Sequence, residues 1–131
     1  MTARAIGPFD VKLNLLEPYN KNDPAFGRRS LDKQFHGDLE ARSQGEMLSV
    51  GSAQGSGGYV AIERVTGSLH GRKGSFALQH NATMTQGAPY LNIIVVPGSG
   101  TGELAGLSGA MQIQIAPGGA HSYLFEYALA E

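Results

Sequence analysis

Phe9, Val11, Leu13 and Leu15 alternate with Asp10, Lys12 and Asn14. That two-residue period places apolar side chains on one face of a strand and polar ones on the other. The first strand is read from Pro8 onward. Comparable runs predict further strands over residues 28–36, 39–50, 59–69, 75–85, 90–96, 109–116 and 121–129. Turn-forming clusters separate them: EPYNKNDPAFG at 17–27, Gly37-Asp38, GSAQGSGG at 51–58, and Gly71-Arg72-Lys73-Gly74. Gly37 as first central residue predicts a type II′ hairpin. The 17–27 connection is long for a hairpin and suits a functional or mobile loop. No segment shows the 3.6-residue spacing of a helix. Eight strands without a charged edge predict an all-β fold, a closed and mostly antiparallel eight-stranded barrel, since closure removes edges altogether.

Residues 93–115, IIVVPGSGTGELAGLSGAMQIQI, join an apolar run to a polar/apolar alternation through a glycine-studded loop. Glycine reaches positive φ without steric cost, so this loop can turn tightly across the end of a closed sheet. A phosphate-cradling loop would need GxxxxGK[ST] and a following helix, and neither is present. Ser99 and Thr101 lack a base partner at any recognisable spacing, and GSG is not the GxSxG elbow.

The chain has 131 residues, enough for one core, so residues 1–131 are read as a single domain. Its 19 glycines are about twice the usual share, as a turn-rich β chain requires. Ten basic and eleven acidic residues are scattered and nearly cancel, leaving no basic stripe for nucleic acid. Without cysteine there is no disulfide framework and no thiolate site. No apolar run is long enough for a membrane span or a signal peptide, so no membrane partner and a cytoplasmic location are expected.

GDLEARSQGEML, GYVAIERVTGSLHGRKGSFALQH and VVPGSGTGELAGLSG together carry a family likeness. Over roughly residues 9–129 the chain resembles small bacterial proteins of domain-of-unknown-function family 3224, classed with the allene oxide cyclase-like (dirigent-like) barrels. Plant proteins of that class share a similar strand–GGxG–strand element, matched here by residues 96–109, and a Phe/Tyr-rich last strand, here 123–127. The resemblance implies a closed eight-stranded sheet around an internal cavity, homo-oligomers of the trimer type, and handling of apolar small molecules in the lumen. It implies no reaction, and no catalytic residue of the plant enzymes carries over.

Candidate chemistry lies in the fourth and fifth strands. With an even-numbered loop centred on Arg72-Lys73, Leu69 faces Phe76, Val65 faces His80 and Glu63 faces Ala82. Glu63 and His80 then share an apolar face with Val65, Phe76, Leu78, Ala82 and Met84. A carboxylate beside an imidazole in an apolar cavity is a candidate acid–base pair. The commoner meaning of such a pair is a structural hydrogen bond. Four histidines without ligand spacing give no metal site, and no cofactor is called for.

The last strand places His121, Tyr123, Phe125, Tyr127 and Leu129 on one face. Aromatics so placed are core filler or cavity wall. Tyr59, Phe76, Leu78, Met84, Tyr123, Phe125 and Tyr127 are accordingly the candidate ligand-contacting residues. Ile93–Val96 is apolar on both faces, so an outer cover is expected over Ile94 and Val96, implying a homo-oligomer, dimer or trimer. Three functions fit: a barrel binding an apolar small molecule in its lumen; a cyclase, isomerase or lyase using Glu63 and His80; and a structural oligomer with a filled barrel.

Overall fold

The computed structural model describes residues 2–130. They form β1 (Ala3–Leu16), β2 (Phe26–Phe35), β3 (Leu39–Gly51), β4 (Gly57–Leu69), β5 (Arg72–Thr85), β6 (Ala88–Val95), β7 (Leu107–Ile115) and β8 (His121–Leu129). Each strand pairs antiparallel with the next, and β8 closes on β1 into the expected eight-stranded barrel. The only helical element among the described residues is a 3₁₀ turn, Gly102–Leu104.

β1 begins before Pro8 because it serves two neighbours. Ala3 to Phe9 pair with β8, and Phe9 to Leu16 pair with β2. The β2–β3 connection is not the predicted two-residue turn. Phe35 faces Ala41, and the intervening residues bond to β1 instead, with His36 N–H on the Pro8 carbonyl at 3.0 Å and Asp38 N–H on Ile6 at 3.2 Å. Gly37 is required there: its φ is +95°, and a Cβ would meet the Ile6 carbonyl oxygen at 2.8 Å.

The β4–β5 hairpin turns at His70-Gly71, both at positive φ, as a two-residue loop of the I′ kind demands. Leu69 therefore faces Arg72 rather than Phe76, Val65 faces Phe76, Glu63 faces Leu78 and Ala61 faces His80. The register is displaced by four residues from the expected one. An even displacement keeps every side chain on its expected face.

One end of the barrel is filled. Phe76 and Phe125 stack at 5.8 Å, Phe125 and Tyr127 at 5.3 Å, and Phe35 meets the edge of Tyr123 at 5.6 Å. The glycine-rich segment closes this end. Val96 and Thr101 N–H bond to Ala77 and Ser75 carbonyls, while Ser75 and Ala77 N–H bond back to the hydroxyls of Thr101 and Ser99. The segment thus prolongs the edge of β5, and buried Leu104 packs into the core. Thr101 passes so near that a Cβ on Gly74 would lie 2.1 Å from its carbonyl oxygen.

At the other end the lumen is open. There β6 and β7 share only the pairs Ile93↔Met111 and Ile94↔Ala110, so the wall has a seam. Ile94 and Val96 are half-buried within the single chain rather than fully exposed. Exposed apolar side chains of the outer wall include Leu48, Val60 and Ile62, adjacent on β3 and β4.

Candidate functional site

Alternation on four successive strands points Lys33, Ser43, Glu63 and His80 inward at the boundary between the filled and open halves. Lys33 and Glu63 sit on β2 and β4 and must meet across β3. They do so because β3 contributes only small inward residues there, Ser43 opposite Lys33 and Gly45 opposite Glu63. Glycine is the residue that fits at 45, since a Cβ would lie 2.0 Å from the Ile62 carbonyl oxygen.

Glu63 is the hub. Its Oε2 accepts from Lys33 Nζ at 2.8 Å and from His80 Nε2 at 2.5 Å, and its Oε1 accepts from Ser43 Oγ at 2.6 Å. Burial is the largest influence on the carboxyl and pushes its pKa up. The hydrogen bond from His80 and the charge of Lys33 together overcome it and hold Glu63 down at about 2. The ammonium of Lys33 also lies 5.3 Å from the Phe9 ring centre and 5.7 Å from that of Phe35, where ring faces attract a cation.

An ionised carboxylate only accepts, so its bond to His80 assigns the hydrogen to Nε2. In the neutral imidazole Nδ1 is then the lone-pair nitrogen. It is buried and has no hydrogen-bond partner among the described residues. In the Nε2–H tautomer the charges of Lys33 and Glu63 cancel, leaving a polar floor without net charge.

Above this floor lies a cavity of about 170 Å³. Lys33, His80 and Tyr59 bound it on the polar side, and Val11, Leu31 and Ile113 supply apolar wall. It shares Met47, Tyr59, Leu91 and Ile115 with a vestibule of about 480 Å³ at the mouth. The Tyr59 phenol reaches toward the floor: burial raises its pKa, and the Glu63 charge raises it further.

Glu63 and His80 are thus brought together, on the diagonal of their hairpin. Tyr59 and Met84 line the open half. Phe76, Leu78, Tyr123, Phe125 and Tyr127 lie instead in the core cluster of the closed half, packed on one another. The Tyr123 hydroxyl donates to the His36 carbonyl at 2.7 Å and accepts from Leu39 N–H at 2.8 Å, tying the β2–β3 connection to β8. Tyr127 shares a hydrogen bond with His70 Nδ1 at the closed end. His36 is exposed, and His121 is half-buried at the mouth, with its ring 5.2 Å from Phe9.

Sequence reasoning missed Lys33 and Ser43. The signal for Lys33 was present, because it falls between Leu31 and Phe35 on the apolar parity of β2. A lysine at such a position calls for a buried acidic partner. Among the described residues no three His, Cys, Asp or Glu side chains cluster as metal ligands do, and no helix is long and apolar enough to cross a membrane.

No curated protein matches this chain. A crystal structure of a protein with unknown function from the DUF3224 family of Shewanella oneidensis MR-1 is 50% identical, with a TM-score of 0.94. The match covers 100% of this chain and 99% of that one. The model of that family, described as "Protein of unknown function (DUF3224)", matches residues 5–127, and with that extent of agreement in sequence and in barrel architecture the chain belongs to the DUF3224 family.

Proposed function

We propose that this barrel binds a small, mainly apolar molecule in the open half of its lumen. The observation that carries the proposal is the division of one barrel into a half filled by stacked aromatics and a half left as an apolar cavity over a single buried polar cluster. Small-molecule sites have that character: apolar walls, and a few polar groups that set orientation. A barrel serving only as a scaffold would gain stability by filling both halves. The resemblance to allene oxide cyclase-like barrels supports the same use of the lumen.

The test is methyl NMR of the methionine and isoleucine side chains during titration with ethylbenzene and acetophenone. Shifts confined to Met47, Ile113 and Ile115 are expected. Ile113→Trp, which fills the cavity, should abolish them, while the outward-facing Gln112→Trp should not. Shifts scattered over the outer wall, or none with either probe, would refute lumen binding.

A further inference from the structure

The polar groups bounding the cavity differ in what they have left to offer. Glu63, the acceptor, is consumed: Lys33, His80 and Ser43 all donate to it, and the side chain is fully buried. His80 donates Nε2–H to Glu63, and its Nδ1 is enclosed away from the cavity surface. Lys33 has three N–H donors and one hydrogen bond, to Glu63, and it lines the cavity. Tyr59 lines both cavity and vestibule, and its hydroxyl makes no hydrogen bond with the described residues. The free capacity of the floor is therefore weighted toward donors: the Lys33 ammonium can only donate, and the Tyr59 hydroxyl can donate as well as accept.

Donors select an acceptor on the ligand. The acceptor's charge is set by what stands behind the donors. With His80 in its neutral form, Lys33 is already neutralised by Glu63 at 2.8 Å, so an entering carboxylate would meet a second carboxylate with no unpaired cation to balance it. An uncharged oxygen acceptor meets the same donors without that repulsion. Granted the lumen-binding reading above, on which this inference rests, we propose that the ligand carries a neutral carbonyl oxygen on an apolar frame, with Lys33 Nζ and the Tyr59 hydroxyl as its two donors.

Three probes of one frame test this in the intact protein: acetophenone, ethylbenzene and benzoate, compared by calorimetric titration and by the infrared stretch of a carbonyl-labelled acetophenone. Acetophenone should bind at least about tenfold more tightly than either companion, the gain of one hydrogen bond from a charged donor. Its carbonyl stretch should move to lower wavenumber on binding. Tyr59→Phe, which leaves the Lys33–Glu63–His80 cluster intact, should reverse part of both effects. Added to Tyr59→Phe, the pair Lys33→Met and Glu63→Leu removes the remaining donor without stranding a buried charge and should reduce acetophenone to the affinity of ethylbenzene. Ethylbenzene binding as tightly as acetophenone would overturn the carbonyl assignment and leave lumen binding standing. Benzoate binding tightest would overturn the neutrality of the acceptor. Binding of none of the three would overturn the lumen site itself.

Discussion

Glu63 and His80 stand diagonally across the β4–β5 hairpin, Glu63 opposite Leu78 and His80 opposite Ala61, and a 2.5 Å hydrogen bond closes the diagonal. Lys33 arrives at the same carboxylate oxygen from β2. The β4–β5 hairpin and the more distant β2 are thereby tied at one atom.

Removing one member of such a cluster should cost more than removing two. Glu63→Leu leaves the Lys33 ammonium buried without its anion, and Lys33→Met strands the carboxylate. Each is expected to cost about 3–5 kcal/mol, while the double replacement costs far less. Glu63→Gln and His80→Asn should likewise be non-additive, with a coupling of about 0.5–3 kcal/mol. Urea unfolding of the single and double variants measures both cycles, and additive costs would dissolve the cluster as an energetic unit.

Acid should weaken the fold through Glu63. Its folded pKa of about 2 lies below the ordinary 4.5, so its contribution is fully present above pH 4.5 and is lost as pH falls toward 2. Stability of the native chain relative to Glu63→Gln should fall through that window. A constant difference between the two would mean the carboxyl titrates normally.

The seal at the closed end should be intolerant of one methyl group. Gly74→Ala drives a Cβ against the Thr101 carbonyl and should lower Tm, and Leu104→Ala should cost about 2–5 kcal/mol by opening a cavity. Neither change reaches the open half, so probe binding there should persist in whatever folded fraction remains.

The seam should be the least protected part of the wall. With only two residue pairs between β6 and β7, amides of Gln112 and Gln114 should exchange with deuterium faster than those of the long β3–β4 ladder. An apolar ligand in the lumen should slow them, because Leu91 and Ile113 contact the cavity from the two sides of the seam. Uniform protection around the barrel would argue against a weak side.

Self-association is expected through the outer face of β3 and β4. Leu48 and Val60 face each other there and Ile62 follows, at 52%, 54% and 58% exposure, and contiguous exposed apolar side chains mark interaction surfaces. Sedimentation should show an oligomer that Ile62→Lys converts to a monomer. Ile94→Lys, on the half-buried strand, should affect stability more than assembly. A monomer at high micromolar concentration would exclude the interface.

Which face of each strand looks inward was legible from the chain alone. Side-chain alternation is a property of the extended backbone itself, so each strand could be divided into two faces from sequence, and an even-numbered β4–β5 loop was enough to put Glu63 and His80 on the same one. The β4–β5 assignment survived a register displacement of four residues because parity, and not register, decides the face. The barrel class followed from the same alternation repeated eight times. How far along the barrel axis each inward residue sits depends on strand tilt and stagger, which exist only once the sheet closes. That relation placed Phe125 and Tyr127 in the filled half and Tyr59 in the open one. It also carried Lys33 over Ser43 and Gly45 to Glu63, 30 residues away in sequence, an encounter that no local pattern encodes.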